Sequence, residues 1–204
     1  MVAGAVGAHL GSDVILILGF ANLLADGFAM SVGAFLSAKT EKEKFLKHKT
    51  IEYWEVENMP QKETEEIREI YRAKGFKGKL LEEVVSVIVE DKDRWVDVMM
   101  KEELDMIEDL RAPITIGGVT YIAFLLVGMI PLSVYLIDYL FPLDTDPFLW
   151  TIVCTGIGFA LIGFLKAVVN QTSPYRAIIE TLLLGACAAF VAYYVGYFLE
   201  GLLS

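Results

Sequence analysis

Apolar residues run in long blocks, broken by one charge-rich insert. Residues 13–37, 113–137, 148–169 and 177–199 are each predominantly apolar over roughly 20 positions or more, the length a helix needs to cross a bilayer. The blocks predict four membrane helices. The insert, residues 39–111, has a different pattern. Residues 39–58 contain no breaker and continue the preceding helix, and Pro60 ends or bends it. Residues 61–74 predict a second helix, closed by a turn at Gly75 and Gly78. Residues 80–89 and 91–110 predict two more, with Asp91 as an N-cap. No strand-type alternation stands out. The first ten residues, MVAGAVGAHL, are small and apolar, too short to span and without the basic start of a signal peptide. They read as the second half of a helix.

Composition supports a membrane protein. The 204 residues are 55% hydrophobic, with a mean hydropathy of +0.53, and every Lys and Arg except Lys166 and Arg176 falls within residues 39–111. The basic residues orient the chain. The insert and the 166–176 connection lie on one side of the bilayer, and residues 138–147, with Asp144 and Asp146 and no base, on the other. The positive-inside rule makes the insert cytoplasmic. A net charge of −10 argues against nucleic acid and suits a cation. Cys154 and Cys187 sit in apolar blocks, where reduced thiols packed among helices are expected rather than a disulfide. His9 and His48 are isolated, so no His-based metal or redox centre is legible, and no enzymatic activity is expected.

Candidate chemistry concentrates in the insert. Glu52 and Glu55 are three apart on one helix face, as are Glu63 and Glu66 beyond Pro60. A bend there brings the pairs together as oxygen ligands for Fe(II), Mn(II) or a similar divalent ion. A solvated acidic face is the simpler reading of the same spacing. Met99, Met100 and Glu103 share one face of the last insert helix; thioethers favour softer transition metals, whereas core packing is the ordinary use of such methionines. Within the first full span Asn22, Asp26 and Met30 form an i,i+4,i+8 stripe. An intramembrane carboxylate is costly and commonly marks a path, or else pairs with a neighbouring helix.

The segment LLADGFAMSVGAFLSAKTEKE, residues 23–43, resembles the membrane-helix signature of the vacuolar iron transporter family. EEIREIYRAKGFKGKLLEEVV (65–85) and DKDRWVDVMMKEEL (91–104) are similar to its cytoplasmic domain, and the likeness covers nearly the whole chain. The resemblance implies an all-α fold: a polytopic bundle of five membrane helices with a cytoplasmic helical metal-binding domain between the second and third. Residues 1–38 correspond to the first and second membrane helices, 39–112 to the cytoplasmic domain and 113–204 to the last three helices. The start, MVAGAVGA, resembles the stretch just after an Asp-Gly in the family's first helix, so that helix is expected to be truncated. The implied activity is export of Fe(II) from the cytoplasm, with Mn(II), Co(II) and Zn(II) as further candidates, by a homodimer exchanging protons and using no organic cofactor. The metal-binding residues carry over to Glu52, Glu55, Glu63, Glu66, Met99, Met100 and Glu103, and the path methionine to Met30. The expected location is a prokaryotic plasma membrane, or a vacuolar membrane in a eukaryote. The truncated helix leaves a membrane-tethered metal buffer or sensor as the alternative.

Overall fold

The computed structural model describes residues 1–141 and 146–203; Asp144 lies outside them. The described residues form eight α-helices and no strand: α1 (Val2–Gly7), α2 (Ser12–Asn58), α3 (Pro60–Ala73), α4 (Gly78–Val89), α5 (Lys92–Glu102), α6 (Pro113–Leu140), α7 (Pro147–Asn170) and α8 (Pro174–Leu203). Of these, α2, α6, α7 and α8 are long and apolar enough to cross a bilayer. The protein is a polytopic helical membrane protein. The chain divides into two compact units, Met1–Val32 with Gly117–Ser204, and Gly33–Ile116.

The 47 residues of α2 make a helix roughly 70 Å long at about 1.5 Å per residue, more than twice the hydrocarbon thickness. Its first half is apolar enough to cross a bilayer, and the run of charged residues begins at Lys39. The helix stops where Pro60 disfavours helical geometry at Met59, which sits at φ −130° and ψ 43°. Pro60 then opens α3, its missing N–H costing nothing at a first turn.

In the first unit the helices meet through small residues. A Cβ on Gly163 of α7 would lie 2.7 Å from the Ile178 Cα and 2.9 Å from the Ala177 carbonyl of α8. A Cβ on Gly196 of α8 would overlap the Gly4 backbone of α1. Ser31 of α2 donates to the Gly117 carbonyl of α6 at 2.8 Å. Close backbone approach and polar side chains that bond across helices are the means of association where solvent is as apolar as the side chains. None of the most apolar stretch of α8 is buried. Such outward apolar faces suit lipid. Cys154 is half-buried, but Cys187 is exposed on this face rather than packed among helices as expected.

The second unit has an ordinary apolar core. Val56 of α2, Ile67 of α3, Leu81, Val85 and Ile88 of α4, and Trp95, Val96, Met99 and Met100 of α5 form one buried cluster. Gly75, at φ +99°, turns the chain out of α3 in a conformation that a side chain would strain. Asp91 caps α5 by accepting from the Arg94 N–H at 2.8 Å. That helix ends at Glu102, not near residue 110. Asp105 adopts a left-handed φ of 50°, and the Met106 N–H bonds back to the Met100 carbonyl at 2.8 Å. Asp is among the few residues that tolerate this conformation, so it ends the helix where periodicity alone continued it.

Replacing Gly163 with Leu should destabilise the protein by about 1–3 kcal/mol, because backbone rather than a flexible side chain occupies the space. Gly118→Ala, where nothing lies within 4 Å, should be near neutral. Thermal unfolding of both variants in detergent would separate the two outcomes.

Candidate metal site

Three helices of the second unit each present an acid in register with its apolar core. Glu52 lies one turn before Val56 on α2, and Glu63 one turn before Ile67 on α3. Glu103, at the C-cap of α5, lies one turn after Met99. Residues four apart share a helix face, so packing the apolar positions together draws the acids with them. One carboxylate oxygen from each of Glu52, Glu63 and Glu103 lies within 4.8 Å of the others. Glu52 is 4% exposed and Glu63 1%, while Glu103 is exposed. Glu52 Oε2 and Glu63 Oε2 are buried without a hydrogen-bond partner.

Buried carboxylates normally have a partner, since desolvating a charge without one is costly. Here the cost appears in their protonation. Burial, and then the charges of Glu103, Glu55, Glu63 and Glu66, push Glu52 up to about 7. Burial also raises Glu63, reinforced by Glu66 and opposed by Lys62. Glu103 shifts the same way, by desolvation first and then by Glu66. Three oxygen donors that repel one another in the absence of a cation make a set suited to a divalent ion.

The remaining predicted residues are placed less uniformly. Glu55 and Glu66 are half-buried and act on Glu52 through their charge, but are not in the close triad. Glu66 is paired with Lys62 at 2.9 Å. Met99 and Met100 are 0% and 1% exposed, inside the apolar cluster. In the first unit, Asn22 and Asp26 line a cavity of about 940 Å³, and Met30 does not, being 52% exposed. The i,i+4 stripe therefore does not face a single space. Thr151 and Thr155 of α7 line the same cavity with hydroxyls that are buried and unpartnered. Sequence reasoning missed both. Their i,i+4 spacing within an otherwise apolar helix was the available signal. It also passed over Lys62.

A family model described as VIT family matches residues 1–197. A vacuolar iron transporter of Toxoplasma gondii is 35% identical over 208 residues, covering 98% of this chain and 68% of the relative. Vacuolar iron transporter 1 of Tulipa gesneriana is 28% identical over 194 residues, covering 95% of this chain and 77% of that protein. Vacuolar iron transporter 1 of Arabidopsis thaliana is also 28% identical over 194 residues, covering 95% and 76%.

The raised carboxyls fix a direction for stability without metal. Glu52 is bound to its proton more tightly in the folded chain, about 7 against 4.5 when unfolded, so folding loses stability as pH rises across that window. The ceiling for this residue is ~3 kcal/mol. Glu52→Gln should flatten the decline and raise stability at pH 7 in the presence of a chelator. Thermal unfolding at pH 5 and pH 7 would check it; a decline as steep in the variant as in the parent would contradict the assignment.

Proposed function

The chain belongs to the VIT family, and we propose that it is a transporter moving Fe(II) out of the cytoplasm, with Mn(II), Co(II) and Zn(II) as further substrates. The observation carrying this reading is the buried carboxylate triad with two unpartnered oxygens, in a chain whose relatives are named vacuolar iron transporters. In this reading residues 39–112 face the cytoplasm as the metal-capturing domain. Glu52, Glu63 and Glu103 supply the inner oxygen ligands, Glu55 and Glu66 add negative charge, and Met99 and Met100 add thioether donors that bias capture toward transition metals.

The captured ion then passes to a membrane path to which Asn22 and Asp26 contribute from the cavity they line, and Met30 from the exposed face of α2 outside it. A path for a partly dehydrated cation gives a carboxylate a reason to stand among apolar neighbours. Release is coupled to protons. Metal and proton compete for the same oxygens, and a carboxyl held near 7 exchanges one for the other close to physiological pH. The functional form is a homodimer in a bilayer, and no organic cofactor or catalytic step is involved.

Full-length protein reconstituted in liposomes under anaerobic conditions provides the test. Fe(II) flux should appear, and the Glu52→Gln/Glu63→Gln pair should lower it at least tenfold. Imposing a pH gradient should accelerate flux, and flux indifferent to the gradient would remove proton exchange from the proposal. Metal binding without any flux would instead identify a membrane-tethered buffer.

A further inference from the structure

Lys62 borders the acidic cluster. It stands on the first turn of α3, next to Glu63 and one turn before Glu66. Its ammonium lies 2.9 Å from Glu66 Oε1 and 3.5 Å from Glu63 Oε1. The lysine side chain is 58% exposed, whereas the Glu63 side chain is 1% exposed. One oxygen of the buried Glu63 therefore contacts a cation on a solvated, flexible stem, and the other has no hydrogen-bond partner.

The contact with Glu66 is an ordinary i,i+4 pair; what sets Lys62 apart is that it also reaches the buried Glu63. Nearby acids have bases of their own: Glu57 pairs with Lys92, Glu102 with Lys74, and Glu65 and Glu82 with Arg68. Among the described residues, Lys62 is the cation paired with Glu63 and Glu66. A lysine ammonium is a compact point charge with three donors, able to neutralise two carboxylates without the fixed geometry of a guanidinium.

We propose that Lys62 is a tethered competitor for the metal: its ammonium neutralises Glu63 and Glu66 when no ion is bound, and a divalent cation displaces it into solvent. The inference rests on the metal-capture reading above. A divalent ion and an ammonium repel each other and draw on the same oxygens, so both cannot keep their contacts. Displacement is easy, because ion pairs of exposed lysines are individually weak and the stem already lies in water. The lysine thus lowers repulsion in the empty site and weakens metal affinity, which favours release to a transport path over retention.

Mn(II) titration of the full-length protein in detergent tests this, with Lys62→Met beside Lys79→Met as a control. Lys79 pairs with Glu83 on α4 and is 91% exposed, so it reports the effect of removing any one positive charge. Lys62→Met should bind Mn(II) roughly fivefold more tightly, and Lys79→Met should match the parent. In the unaltered protein, labelling of Lys62 by an amine-reactive reagent, read by mass spectrometry, should rise on Mn(II) saturation. Unchanged or weaker Mn(II) binding by Lys62→Met, or labelling indifferent to Mn(II), would overturn the competitor role while leaving metal capture standing. Failure of the unaltered protein to bind Mn(II) or Fe(II) at all would remove the metal reading and this inference together.

Discussion

Carboxylates held against an apolar core without enough positive charge are the constraint on which the second unit turns. Glu52 and Glu63 occupy positions that helical spacing reserves for core residues, and each leaves an oxygen with no partner. A folded protein tolerates such groups by protonating them, pairing them or binding a cation. All three responses are compatible with the geometry: raised carboxyls, the ammonium of Lys62, and a triad spaced for one ion. Such an arrangement is poorly stabilised without a counter-charge, and the cation binding proposed above would relieve it.

The same apolar cluster that causes the problem also positions its solution. Met99 and Met100 fill the space between helices as ordinary core residues, and by doing so hold the end of α5, with Glu103, against α2 and α3. Packing and ligation need not be alternatives for such methionines, since a thioether can fill a gap and still offer a lone pair. The left-handed turn at Asp105 ends α5 just past Glu103. This leaves the last ligand candidate at a helix terminus, where it is more exposed than the other two.

The first unit obeys a different solvent. Its helices bury little apolar surface against one another, and their contacts depend on glycines that admit a neighbouring backbone and on few polar bonds such as Ser31 to Gly117. In hydrocarbon every polar side chain needs a reason to be there. The cavity lined by Asn22, Asp26, Thr151 and Thr155 gathers polar groups from α2 and α7 into one space, which is why these residues, rather than the whole Asn22, Asp26 and Met30 stripe, define its polar wall.

Much of this protein is legible in its sequence because bilayer helices announce themselves by length and apolarity, and because Pro60, Gly75 and Asp91 act on the backbone within a few residues of themselves. The candidate acids were also legible by type, since paired glutamates at i,i+3 share a face whatever surrounds them. Which acids meet was decided only by the tertiary structure. Glu52, Glu63 and Glu103 converge because Val56, Ile67 and Met99 pack together, a contact between residues far apart in the chain that local periodicity does not encode. The burial of Glu52 and Glu63 beside that cluster was decided there too. It depends on where neighbouring helices leave no room for water, and that is a property of the packed molecule rather than of any segment.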